Sequence, residues 1–153
     1  MARSAVGKFM DLPWNERRLL VRSLFTLATV RVAIWVLPFR AARRLMVGRR
    51  RPTPSGVTRE QVRWAISVAQ RVVPAATCLP QAVAAEALLA RAGHPAELRI
   101  GVAKTPVGKL DAHAWVESDG RIVVGELPGG LDRYKPLPTL PSAWPQSPAT
   151  RAT

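Results

Sequence analysis

Three side chains have types and spacing suited to covalent chemistry: Cys78, His113 and Glu126. Cys78 is the only cysteine of the 153 residues and stands at the head of "TCLPQAVAAEALLARAG" (77–93). That stretch reads as a helix opening at Thr77–Cys78 and ending at Gly93, a glycine suited to a left-handed cap. Pro80 falls in the first turn, where its missing N–H costs little. A thiolate at a helix N-terminus is stabilised by unpaired N–H groups and the positive end of the helix dipole. The alternative is a small inert residue in a core, the commoner state of a lone cysteine.

A base for Cys78 comes from "AHAWVESDGRIVVGE" (112–126), which reads as two strands around an Asp119-Gly120 turn. With those two residues as the loop, Ser118 faces Arg121, Glu117 faces Ile122 and Trp115 faces Val124. His113 then faces Glu126. Directly opposed residues have Cβ atoms roughly 4.5–5.5 Å apart, close enough for a carboxylate to accept the imidazole N–H. Helix-borne Cys78, strand-borne His113 and Glu126 on the next strand make a Cys-His-acid arrangement for nucleophilic catalysis. The Cys78 N–H is one oxyanion donor; a second is not identifiable from sequence. A strand histidine by itself more often serves structure, so the joint occurrence carries the reading. His94, between Gly93 and Pro95, reads as a surface turn residue.

One Cys and two His fall short of the four N/S ligands of a structural zinc site, and no glycine-rich phosphate loop is present. Neither metal nor cofactor is expected. A single Cys rules out an internal disulfide framework and suits a reducing compartment. The N-terminus lacks the pattern of a secretory signal, so a cytoplasmic location is expected, with membrane association left open.

The elements that must position these groups follow from periodicity. "VTREQVRWAISVAQRVV" (57–73) reads as a helix with Thr58 as N-cap, Gln61 completing a capping box, and a buried stripe of Val62, Ala65, Ile66, Ala69 and Val73. "AELRIGVAK" (96–104) alternates as a half-buried strand. Residues 14–37 form a helix stopping before Pro38, apolar over most of its circumference. Arg18, Arg22, Thr26 and Thr29 make a narrow polar strip, and Arg31 lies opposite. Arg22 and Arg31 interrupt a transmembrane reading, which needs about 20 mostly uncharged residues.

Charge divides the chain. Residues 1–63 carry 14 Lys/Arg against 3 Asp/Glu, whereas 64–153 carry 9 against 7, so an anionic partner should meet the front. The run Arg40, Arg43, Arg44 and Arg49–Arg51 reads either as a solvated basic linker or as a contact for acidic lipid headgroups. Nucleic acid is not expected, because no aromatic-interleaved surface or helix-turn-helix spacing accompanies the arginines. The expected organisation is a basic helical segment over 1–56, a catalytic domain over 57–135 and a Pro-rich flexible tail over 136–153.

"CLPQAVAAEALLARAGHPAELRIGV", a polar loop and "DAHAWVESDGRIVVGE" together resemble the transglutaminase-like cysteine protease of lasso-peptide biosynthesis. The resemblance is strong over about residues 57–126 and weaker over "LPWNERRLLVRSLFTLATVRVAIWVLPFRAARRL". It implies a papain/transglutaminase-like α+β fold, helices packed on a small antiparallel sheet. It also implies removal of the leader from a ribosomally made precursor peptide, with Cys78 as nucleophile and His113 as base. The third member is commonly Asp, so Glu126 is a departure. The front of the chain is too short and too poorly β-patterned for the leader-recognition module found in fused forms. The resemblance is therefore to the split form, whose partners are a separate leader-recognition protein and a lasso cyclase. Two alternatives stay open: a transglutaminase-like acyl transferase using the same residues, and a noncatalytic basic binding module. Peripheral membrane contact through residues 14–51 also stays open.

Overall fold

The computed structural model describes residues 5–48 and 55–138. Among these residues five helices come first: α1 (Ala5–Met10), α2 (Trp14–Val36), α3 (Phe39–Val47), α4 (Arg59–Ala69) and α5 (Cys78–Ala92). Four strands follow: β1 (Glu97–Lys104), β2 (Leu110–Ser118), β3 (Arg121–Val124) and β4 (Lys135–Pro136). They form one antiparallel sheet in the order β3-β2-β1-β4, with α4 and α5 against it and α2 and α3 packed on those helices, an α+β architecture.

Local chemistry sets most boundaries. Thr58 and Gln61 form the expected reciprocal capping box at the start of α4, a cap worth about 1 kcal/mol. Helix α5 closes at Gly93 with φ 87°, where the His94 N–H donates to Leu89 O at 2.9 Å. The Asp119-Gly120 turn has φ of 48° and 73°, the two left-handed residues of a type I′ hairpin. Arg59 ties this turn back to α4 through Asp119 and through the Ser118 hydroxyl.

The core lies between the helices and one face of the sheet, with Leu27 and Val30 of α2, Val62 and Ile66 of α4, Leu89 of α5 and Val116 of β2 all fully or almost fully buried. Ala82, Ala84, Ala85 and Ala87 are also buried; their small side chains let α5 sit among α2, α3, α4 and the sheet. A second, smaller cluster of Ala103, Trp115 and Tyr134 is built on β1, β2 and the segment leading into β4.

Several sequence expectations change here. The expected boundary at residue 56 does not divide the core, because α2 supplies two of its most buried side chains. Thr26, assigned to a polar strip, is buried. Residues 39–47, read as linker or headgroup contact, are helical, and Arg43 points inward. Its guanidinium meets Glu86 of α5 through Nε–Oε2 at 2.9 Å and a second, shorter bond to Oε1. Burial pushes the Glu86 carboxyl above its ordinary value, with Arg43 partly opposing. Pro136, placed in the tail, pairs with Gly101. Arg49–Arg51 and the tail from 139 onward lie outside the described residues.

Candidate active site

Cys78 is the first residue of α5 and is partly exposed. It is delivered by a tight turn in which Ala75 adopts φ 53°, a left-handed conformation costly for a residue with a Cβ. The Thr77 N–H donates to Ala75 O, and the Gln81 side-chain amide to Ala76 O. Thr77 makes no side-chain cap, and among the described residues the Cys78 and Leu79 N–H groups have no hydrogen-bond partner. Pro80 has no N–H to offer. The helix therefore opens on two unpaired donors beside the thiol, placed to meet a developing oxyanion.

His113 and Cys78 line the same cleft, of about 320 Å³, together with Gln81, Arg63, Gly125 and Glu126. No hydrogen bond joins the two residues across this cleft. On its other side the His113 ring is bracketed by aromatics. Trp115 is stacked at 6.3 Å between centroids, and Tyr134 is tilted at 5.5 Å. Gly101, opposite His113 on β1, makes room for this cluster: a Cβ there would lie 2.9 Å from Tyr134 Cβ and 3.0 Å from the Trp115 ring. The Tyr134 hydroxyl donates to Asp111 at 2.7 Å, which holds the phenol above its ordinary pKa.

The expected pairing of His113 with Glu126 is not formed. Ser118–Arg121 and Glu117–Ile122 pair as predicted, but the next pair is Val116–Val124, leaving Val123 as the extra residue of a β-bulge. The predicted Trp115–Val124 pairing is lost with it, and β3 ends at Val124 before reaching Glu126. His113 Nε2 instead meets the Gly125 carbonyl oxygen at 2.7 Å. A carbonyl only accepts, so Nε2 carries a proton, and in the neutral tautomer Nδ1 is the nitrogen able to act as a base. Glu126 points to Arg63, 2.8 Å away, with both side chains 57% exposed. A pair so open to water is worth at most about 1 kcal/mol and is easily opened.

Gly125, Trp115 and Tyr134 were not singled out from sequence as site residues. One signal was present: Ile122, Val123 and Val124 are three apolar residues in a row at the end of an alternating strand, followed by glycine. Val123 and Val124 are both buried in the core, which strict alternation forbids and a bulge permits. His94, assigned to a turn, is partly buried, and its Nε2 donates to Val57 O at 2.7 Å, tying the end of α5 to the approach of α4. Among the described residues no group of three or more His, Cys, Asp or Glu forms a metal cradle.

Residues 24–139 match the family model described as "Transglutaminase-like superfamily". No curated protein matches the chain, and no solved structure does.

Proposed function

This chain belongs to the transglutaminase-like superfamily, whose members include cysteine peptidases and acyltransferases, and within it we propose that this chain is a cysteine peptidase that removes the leader from a ribosomally made lasso precursor. The observation that carries the reading is the shared cleft: Cys78 at the uncapped start of α5 and His113 across from it with its Nε2–H committed to Gly125. The narrower substrate assignment rests on the resemblance of the Cys78 and His113 segments to the lasso leader peptidases.

In the proposed reaction His113 Nδ1 takes the Cys78 thiol proton as the sulfur attacks the scissile carbonyl. The tetrahedral oxyanion is met by the N–H groups of Cys78 and Leu79. Collapse expels the core peptide's α-amine, which receives the proton from His113 and leaves a thioester on Cys78. Water, deprotonated by His113, then releases the leader as a carboxylate. Glu126, on the rim beside Gly125, is the acid that can approach His113 when its pair with Arg63 opens. A separate recognition protein delivers the leader, and a partner cyclase consumes the freed amine.

The test is mass spectrometry of a precursor peptide incubated with this chain, with and without the recognition protein. Separate leader and core masses are expected, and Cys78→Ala should abolish both while leaving the circular dichroism spectrum intact. Cleavage by Cys78→Ala would refute the nucleophile. A product bearing an added amine in place of water would assign acyl transfer.

A further inference from the structure

Helix α2 is apolar on two opposite faces, and only one of them is used by the core. Leu27 and Val30 on the inner side are fully buried. On the outer side, Val21, Phe25, Val32, Trp35 and Val36 recur at helical spacing and are exposed, Phe25 at 71% and Trp35 at 81%. Trp14 continues the stripe at the helix start. A soluble domain rarely leaves a contiguous apolar strip of this length facing water without a partner for it.

The surroundings of the strip identify that partner. Arg18 and Arg22 flank it on one side and Arg31 on the other, with Arg40 and Arg44 exposed on the following helix. From Trp14 to Gly48 the only acidic side chain is Glu16. Tryptophans mark both ends of the helix, the residue type favoured where hydrocarbon meets headgroup. An apolar strip bounded by cations matches a surface that is apolar inside and anionic outside. By length and composition α2 could span a bilayer, but spanning would strip Leu27 and Val30 from the core and bury Arg22 and Arg31 in hydrocarbon. The helix must lie flat.

We propose that the outer face of α2 docks this protein on an anionic lipid bilayer, with Phe25, Val32 and Trp35 entering the headgroup–acyl boundary and the flanking arginines contacting lipid phosphates. The docking is independent of the peptidase assignment and does not need Cys78.

The experiment is co-sedimentation of the full chain with vesicles of phosphatidylcholine alone or mixed equally with phosphatidylglycerol. Wild type should pellet with the anionic vesicles, remain in solution with the neutral ones, and bind more weakly as salt rises from about 0.1 M and shortens the screening length. Phe25→Asp/Trp35→Asp should weaken partitioning roughly tenfold or more, because two large apolar groups no longer leave water. Arg18→Glu/Arg22→Glu keeps the apolar strip and should lose the salt-sensitive part, giving a second reading if the first pair disturbs folding. Absence of wild-type binding to anionic vesicles, or undiminished binding by both variants, would overturn the proposal. So would a concentration-dependent dimer in lipid-free solution that Phe25→Asp/Trp35→Asp dissociates, which would assign the strip to a second copy.

Discussion

His113 donates from Nε2 to the Gly125 carbonyl at 2.7 Å, and Gly125 reaches that position only because it lacks a side chain. Its φ is 94°, and a Cβ would lie 2.7 Å from both Ala114 O and Trp115 Cβ. The bulge at Val123 and the missing Cβ thus act together to place a backbone acceptor where a side-chain acid was expected. The carbonyl fixes ring and tautomer without adding a full charge beside the imidazole.

Gly125→Ala should therefore damage the site more than the fold. Displacing a packed strand end costs about 1–3 kcal/mol, which leaves a folded domain to assay. Peptide cleavage should fall by well over tenfold, with an altered pH–rate profile because the base is no longer held as one tautomer. An unchanged profile with only a lower melting temperature would limit Gly125 to packing.

Glu126→Gln distinguishes the two possible orienters of His113. If the Gly125 carbonyl suffices, cleavage stays within about tenfold of wild type, since loss of a true triad acid costs on the order of 10⁴ in kcat. A loss of that larger size would show that Glu126 leaves Arg63 and joins His113 during turnover. Single-turnover cleavage rates are the measurement.

The buried pair Arg43–Glu86 couples α3 to the nucleophile helix. Arg43→Met should destabilise the protein by about 3–5 kcal/mol, because Glu86 is left buried without its partner. Arg43→Met/Glu86→Leu should recover most of that loss, as apolar replacements of a buried pair commonly do. Urea unfolding of the three proteins checks the ordering.

The same carboxyl predicts a pH dependence. Burial raises the Glu86 pKa above the 4.5 of a free side chain. Between 4.5 and the raised value the folded state keeps a proton that the unfolded chain has released. The stability from this group is thus complete below 4.5 and lost as pH rises through the folded pKa. The stability of wild type relative to Glu86→Gln, which cannot titrate, should fall as pH rises above 4.5. A rise over the same range would mean that attraction to Arg43 outweighs desolvation.

Gly101→Ala tests the aromatic bracket around His113. The added methyl pushes against Tyr134 and the Trp115 ring, and overpacking of this kind costs about 1–3 kcal/mol. The His113 ring resonances should shift in NMR spectra, whereas those of His94 should not.

The features legible in the linear chain are those decided within a few residues. The Thr58–Gln61 box, the start of α5 at Cys78, its Gly93 end and the Asp119-Gly120 turn depend on neighbours whose identities lie side by side in the sequence. Element order and family resemblance together pointed to Cys78 and His113, which line one cleft. The acid was not, because a period-2 register carried across eight residues fails at one bulge, and Val123 bulges to satisfy packing that involves several elements. Arg43 offered no local sign of burial: its partner Glu86 lies 43 residues away, and an arginine in a basic run is drawn inward only when another helix presents a carboxylate to it. The all-round apolar character of α2 was written in its composition. Which face would serve the core and which would be left outside depended on where α4 and α5 pack, since the helix itself favours neither.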